Sequence, residues 1–571
     1  MDVIQNIILT IKAKNSSHVG YGLQSEFESL VCGVLQNMAK SPMPLLKIEK
    51  KNNIDSVKYR ADGNEYFVGG DDNRAIESYT KSLAYADTDL NKAYAYANRS
   101  AALYRKKLFK ECIADITRAI ELNYPLDKRN KLEERAAKAI EEINDNDENK
   151  NKNKNLNSKV MSVPYGASNE APANSAGVKI SYSHDYGRHL VATCNFKPGD
   201  ITTIEQPYCW VIYQDKFYTH CHYCLERCFN LIPCSECPIA QYCSPECKNL
   251  SWDIGHNIEC SILSVLINLL NMDEDKVRMV MKITRLLLTV TSNGTKINEL
   301  REDLKIAEKN SDVRTAGFTD KFMLDSKSPR SALSLATNVT TRPLIGISAF
   351  ACISALSIML ISTQTTFFGK KLNIEELKYL NKYPDIKFCG SLLLRACVIT
   401  SSNCFSIQPE PGIKSGSGLY VAHSLYNHSC APNTFRHFQG LTMITRAVEP
   451  IYPGQQIFTG YGADYSYMPK TQRKKKLMDE YFFDCNCPGC INDWPTYNDI
   501  LKNHIGSISN NKNIVQQLKP FRKRLIDNKF DIEAVKEVIN ILHNQVKVKP
   551  CEEILHAVHY LRTYYLGKLH S

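Results

Sequence analysis

No basic-then-apolar leader opens the 571 residues, so secretion is not expected. A dominant charge is also missing: 71 Lys and Arg against 60 Asp and Glu leave a formal charge of +11. That is mild for this length and too evenly spread to make direct nucleic-acid binding an expectation. Long charge-free runs are scarce. One lies between Arg342 and Lys370, where Leu344 to Ile361 is almost wholly apolar and raises the question of a membrane span. Ser348, Ser354, Ser357 and Ser362 dilute it, so a buried helix and no membrane are expected. Cysteine, by contrast, is plentiful: 21 residues, many in metal-type pairs, argue for a reducing compartment where thiolates stay free for zinc. The length allows several domains with ample cores.

Four of these pairs follow one another: Cys221-x-x-Cys224, Cys234-x-x-Cys237, Cys243-x-x-x-Cys247 and His256-x-x-x-Cys260. Eight soft ligands suffice for two tetrahedral zinc sites, with Cys228 and His222 left over. Four ligands per ion leave no open coordination position, so these sites are structural and the chemistry must lie elsewhere. The segment also lacks a basic recognition helix, which argues against a DNA-binding finger. With Gln241-Tyr242-Cys243 and Trp252 it resembles a MYND zinc finger. That resemblance implies interleaved pairs, with Cys221, Cys224, Cys243 and Cys247 on one ion and Cys234, Cys237, His256 and Cys260 on the other. It also implies a proline-rich peptide as a partner.

A second series runs through Asn403-Cys404-Phe405-Ser406-Ile407, Gly418-Leu419-Tyr420, Asn427-His428-Ser429-Cys430-x-Pro432-Asn433 and Gly454 to Tyr461. Upstream stand Gly187-Arg188-His189-Leu190-Val191-Ala192 and Lys197-Pro198-Gly199-Asp200. In this order the motifs resemble a SET methyltransferase core split by the finger. The chain is thus similar, from about Gly187 to Cys490, to the SET and MYND domain family of protein-lysine methyltransferases. A membrane span at 344–361 would put the finger and the later motifs on opposite faces of a bilayer, which one catalytic unit forbids.

The resemblance implies S-adenosyl-L-methionine (AdoMet) as methyl donor and a protein substrate with a target lysine. Gly187, Arg188, His189, Asn403, Asn427, His428 and Phe482 would contact or support the cofactor. Tyr461 would stand at the transfer point as the catalytic residue and cofactor contact. Tyr481 and Phe482 would wall the lysine channel. Methyl transfer of this kind requires alignment and a neutral amine rather than a metal. His189 departs from the pattern, since relatives carry a glycine there that permits close approach or positive φ. It favours the rival reading, a non-catalytic TPR/MYND adaptor with a degenerate SET domain.

Cys485-x-Cys487-x-x-Cys490 supplies three thiolates, one short of a tetrahedral site. The resemblance implies Cys430 as the fourth ligand and a third zinc ion in a post-SET cap.

Before the SET motifs, Tyr59 to Ile143 has repeating helical periodicity. Ala75 and Cys112 are 37 apart, a 34-residue TPR period with a short insertion near Asp87-Thr88-Asp89. Arg60, Asn64, Asn98, Lys131 and Arg135 match the carboxylate clamp of TPR proteins that capture acidic chaperone C-termini, which implies an Hsp90 or Hsp70 C-terminal peptide as partner.

The expected fold is multidomain α+β: an N-terminal helical segment (1–53), an α-helical TPR region (54–143), a flexible linker (144–176), and a split β-rich SET core (177–220 and 401–465). The MYND finger (221–260) and a helical insertion (261–400) interrupt that core, with Ser292 to Asp325 expected to be mobile. A post-SET zinc cap (466–492) and a C-terminal helical region (493–571) follow. The basic run Gln472 to Lys476 suits a helix face better than a nuclear signal. A monomer in the cytoplasm, the nucleus or both is expected.

Overall fold

A computed structural model describes residues 23–40, 48–150, 161–270, 273–410, 412–527, 531–547 and 549–567. The expected N-terminal helical segment therefore falls outside the described residues up to 22 and from 41 to 47. Its central part forms α1 (Gln24–Lys40), where Phe27, Leu30, Val31, Val34 and Leu35 make one buried stripe at helical spacing. This stripe packs against helices of the distant 344–403 region rather than against its sequence neighbours.

Five helices follow: α2 (Asn53–Val68), α3 (Asp72–Tyr85), α4 (Asp89–Arg105), α5 (Phe109–Glu121) and α6 (Leu126–Lys150). Successive helices pack on each other around Ala75, Tyr79, Leu83, Leu103, Cys112 and Ile116. Gly63 is needed where α2 crosses α3, because a Cβ there would lie 2.5 Å from the Tyr79 ring. Fully buried Arg99 clamps Asp115 through two bonds of 2.7 and 3.0 Å. Losing either partner would strand a buried charge, at about 3–5 kcal/mol.

The linker expected over 144–176 is folded on both sides of 151–160, which lie outside the described residues. Helix α6 continues to Lys150, and the segment before residue 178 joins the sheet edge. Ser175 N–H donates to Thr202 O, Ile204 N–H to Ala173 O, and Thr203 Oγ1 to Asn174 Oδ1. Backbone and short polar side chains hold this stretch, so its lack of large apolar residues misled the composition argument.

The β-rich part begins with β1 (Val178–Ser183) and β2 (Gly187–Ala192), an antiparallel pair, then β3 (Ile201–Glu205) and β4 (Cys209–Ile212). The cysteine-rich segment holds a small hairpin, β5 (Ile232–Pro233) with β6 (Gln241–Tyr242), and α7 (Pro245–Ser251). It is covered by the N-terminal helices: Phe229 joins their core and Arg118 donates to Asn230 O. The helical insertion contributes α8 (Asn257–Leu269), α9 (Glu274–Val290), α10 (Ile297–Glu308), α11 (Pro329–Leu333), α12 (Leu344–Gln364) and α13 (Pro384–Asn403).

Helix α12 is the charge-free run. Among the described residues it is the one helix long and apolar enough to cross a membrane. It packs against both α1 and α13, and Ser354, Ser357 and Ser362 return their hydroxyls to the carbonyls four residues back. The expected mobile stretch from Ser292 to Asp325 instead carries α10, which buries Ile297, Leu300 and Leu304 in the main core and Ala307 on the same face. Their spacing of three and four is a helical stripe that the polar flanks obscured.

After α13 come β7 (Cys404–Ile407) and β8 (Gly416–Leu419), with β8 between β4 and β7 in one antiparallel sheet. Then β9 (Asn427–His428), β10 (Thr434–Gln439), β11 (Thr442–Ala447) and β12 (Phe458–Thr459) follow; β10, β11 and β3 form a second sheet, while β9 and β12 pair in parallel. Residues before and after the insertion thus share both sheets. Helices α14 (Lys470–Tyr481) and α15 (Pro488–Ile491) make the cap. Helices α16 (Tyr497–Asn503), α17 (Lys512–Asp527), α18 (Ile532–Gln545) and α19 (Glu552–Tyr565) end the fold. The tail docks through Glu449 with His543 and Lys549, and through Arg446 over the Tyr565 ring at 4.0 Å.

Candidate active site and metal clusters

The parallel pair of β9 and β12 sets His428 opposite Thr459, and the chain beyond Thr459 then brings Tyr461 to the histidine. Tyr461 N–H donates to His428 Nδ1 at 3.0 Å, while His428 Nε2 faces Cys430 Sγ at 3.3 Å. Burial lowers the His428 pKa to about 4, so the ring is neutral at pH 7. The Tyr461 hydroxyl donates to Tyr426 O at 2.6 Å, and burial raises its pKa and keeps it protonated. The Tyr481 ring lies 4.8 Å from that of Tyr461. These two rings border a cleft of about 680 Å³ between the sheets, the cap and α19.

Asn427 ties this centre to the first glycine turn, since its Nδ2 donates to Tyr186 O at 3.0 Å. Gly187 then takes φ +62°, a conformation glycine allows without a Cβ clash. His189 lies in β2 opposite Ser181 and is not among the positive-φ residues, so the chain uses no left-handed geometry where a glycine was expected. Its Nδ1 is 2.9 Å from Gly187 O and the ring is buried. Arg188 directs its guanidinium to Ala316 O and Ser334 O, both at 2.6 Å, and thereby anchors the 292–325 segment. Asn403 is buried at the end of α13, its Nδ2 shared between Ala336 O and Ile399 O at 2.8 Å.

The aromatic residues after α14 require a correction. Phe482 has φ +63° and ends the helix in the left-handed conformation, which reverses the chain and separates neighbouring side chains. Its ring sits under Arg342 at 4.9 Å. Phe483, which the sequence reading passed over, instead stands 6.1 Å from His428 and 6.4 Å from Tyr461. The helix end just before it was the available signal.

Three groups of thiol and imidazole ligands converge, each with ligand atoms within 4.8 Å of one another: Cys221, Cys224, Cys243 and Cys247; Cys234, Cys237, His256 and Cys260; and Cys430, Cys485, Cys487 and Cys490. All these cysteines are free thiols. Sulfur pairs of 3.4 Å (Cys430 and Cys490), 3.7 Å (Cys224 and Cys243) and 3.8 Å (Cys234 and Cys260) match the edge of about 3.8 Å that a tetrahedron with 2.3 Å zinc–sulfur bonds requires. The donor sets therefore suit zinc. Arg473, fully buried in the basic run of α14, braces the third cluster by donating to Gly489 O at 2.9 Å.

The five clamp candidates lie on α2, α4 and α6. Asn98 Nδ2 donates to Asn64 Oδ1 at 2.8 Å, and the Arg60 guanidinium lies over Tyr94 at 4.8 Å. Half-buried Arg135 donates to Ser100 Oγ at 2.7 Å, and Lys131 is exposed.

A family model described as SET domain matches residues 187–462; the chain contains a SET domain. Protein-lysine N-methyltransferase SMYD4 of Danio rerio is 24% identical over 563 residues, covering 85% of this chain and 71% of the relative. SMYD4 of Mus musculus is 25% identical over 545 residues, with 77% and 67% covered. N-lysine methyltransferase SMYD2 of Homo sapiens is 27% identical over 314 residues, with 55% and 60% covered. By length alone, the SMYD4 matches must reach into the N-terminal helical half.

Proposed function

We infer that this SET-domain chain, a relative of SMYD4 and SMYD2, is a protein-lysine N-methyltransferase that uses S-adenosyl-L-methionine. The observation that carries the reading is the meeting of His428, Tyr481 and Phe483 around Tyr461, which borders the cleft together with Tyr481. When bound, AdoMet supplies an electrophilic methyl group on a sulfonium. The residues present suit such a ligand: aromatic faces attract a cation, and neutral His428 adds no competing charge. Asn427 and the Gly187 turn fix the cofactor side, and Asn403 supports it through its bond to Ala336 O. The protonated Tyr461 hydroxyl marks the transfer point. Tyr481 walls the channel, whose aromatic surface favours the neutral form of an incoming amine.

The first two cysteine clusters are read as a MYND finger with two zinc ions, and the third as a post-SET cap with one. Helices α2 to α5 are read as two TPR units whose groove, lined by Arg60, Asn64, Asn98, Lys131 and Arg135, takes an acidic Hsp90 or Hsp70 C-terminal peptide. An amidated peptide should bind at least tenfold more weakly, because the clamp recognises carboxylates. A proline-rich peptide is the partner proposed for the finger, in a monomer of the cytoplasm, the nucleus or both.

The deciding experiment is calorimetric titration of the zinc-loaded chain with AdoMet. Micromolar binding that survives Tyr461→Phe and disappears in Asn427→Ala supports the enzyme. No binding by folded, fully metallated protein would overturn it in favour of the adaptor.

A further inference from the structure

Arg436 introduces a cation into the cleft that the methyltransferase reading assigns to a lysine. It lies on β10 between inward-packed Phe435 and His437, opposite Thr445, and lines the same cleft as Tyr461 and Tyr481. Its Nη1 donates to Gly460 O at 3.0 Å and Thr459 Oγ1 at 3.4 Å, and the guanidinium lies 5.2 Å above the Phe405 ring. Among the described residues no carboxylate pairs with it, and its Nε and Nη2 have no acceptor. Arginine keeps its proton even where burial opposes the charge.

The acids of the cleft are already engaged. Asp464 pairs with Arg562 and accepts from Ser466, and Glu480 pairs with Lys476. His437 is held neutral, with its pKa lowered to about 4 by burial. Lys414 adds a second, exposed cation at the rim.

A half-buried cation without a carboxylate partner is poorly solvated, and it repels an ammonium entering beside it. One ligand feature removes both penalties. We propose that the substrate supplies the missing counter-ion: a carboxylate next to the target lysine seats on Arg436, guided in by Lys414. The specificity of the cleft is then for lysine in an acidic setting, with the anion drawn from a neighbouring Asp or Glu side chain or from a free chain terminus. This rests on the methyltransferase reading, and the test separates the two.

The test uses the full zinc-loaded chain and a set of short lysine peptides. These carry Glu, Gln or Lys within three residues of the target, with amidated ends, plus free-acid versions of the Gln series. Methyl transfer from labelled AdoMet and fluorescence anisotropy binding with S-adenosylhomocysteine present are both measured. Glu-flanked peptides should exceed Gln-flanked ones by about tenfold or more in both readouts, as a charge-assisted pair would give. That ratio should fall to about one in Arg436→Val, invert toward Lys-flanked peptides in Arg436→Glu, and fall severalfold in Lys414→Glu, an exposed change that leaves folding intact. A gain only in the free-acid series assigns the anion to a chain terminus. Transfer with no flank preference overturns the seat and leaves the enzyme. A binding preference without transfer keeps the seat and overturns the enzyme. A preference unchanged in Arg436→Val, or no peptide bound at all, overturns the seat.

Discussion

The two cysteine clusters of 221–260, read as a finger, and the third cluster, read as a cap, bring their thiols together in opposite ways. The eight candidate ligands of the finger lie between Cys221 and Cys260, delivered by one small hairpin, the turns around it and the helical stretch that follows, where Cys247 lies on α7 and Cys260 on α8. The cap joins Cys430, two residues beyond His428, to three cysteines that arrive only after α14, starting at Cys485. A local cluster can fold on its own metal, whereas a cluster closed across a long loop works as a clasp. The finger meets the N-terminal helices through Phe229 and Asn230. The cap meets the catalytic centre, because Cys430 Sγ touches His428 and its cluster shares a core with Tyr461, Tyr481 and Phe483.

The strongest way to break this comparison is Cys487→Ser. It should lower zinc content by one ion per chain, weaken AdoMet binding by about 100-fold and abolish transfer, since loss of metal-site support typically costs that much. Elemental analysis with calorimetry measures both; unchanged AdoMet affinity after metal loss would show that the clasp is not coupled to the site.

Next comes Tyr461→Phe, which removes one hydroxyl and leaves the clasp. Turnover should fall by about 10² to 10³, with AdoMet affinity within about threefold and full zinc content, as single-turnover kinetics would show. Cys243→Ser applies the same logic to the finger. Hydrogen exchange and proteolysis should increase over 221–260 and at its contacts with α5, while AdoMet affinity changes by no more than about threefold. An equal loss of AdoMet binding from this variant would erase the distinction.

The smallest effect concerns the other edge of the cleft. His437 lies beside the Tyr565 ring at 6.0 Å and accepts from Arg446 Nε at 3.1 Å. Burial lowers its pKa from 6.5 to about 4, so the unfolded chain takes up the proton first. The neutral ring therefore contributes stability that is present above pH 6.5 and is lost as the pH falls toward 4. Hydrogen-exchange protection in α19, corrected for the intrinsic pH-dependent rate, should fall across that window, and His437→Phe should flatten the response.

How much could be read in advance follows from separation along the chain. The four pairs of the finger and the Asn427 to Cys430 motif are local patterns, and spacing exposes them. The SET resemblance also brought Cys430 to Cys485, Cys487 and Cys490, which spacing alone leaves one ligand short. Phe483 was missed because side-chain direction after a helix depends on the φ of Phe482, which no composition argument gives. The segments at 161–176 and 292–325 looked loose because their polar residues make specific backbone bonds, as where Ser168 Oγ accepts from Ala171 N–H and Asn310 Nδ2 donates to Thr315 O.

The residue types and their order by themselves exposed the metal-ligand pairs through spacing and ligand chemistry and the helical periodicity of residues 59–143, while the SET motifs were legible through their resemblance to a family. Only the tertiary structure decided what covers each face: α1 on α12 and α13, the N-terminal helices on the finger, α19 on the cleft, and Arg436 without a counter-ion beside Tyr461. Burial and unmatched charge are properties of surfaces brought together from distant segments, and they do not exist until the chain has folded.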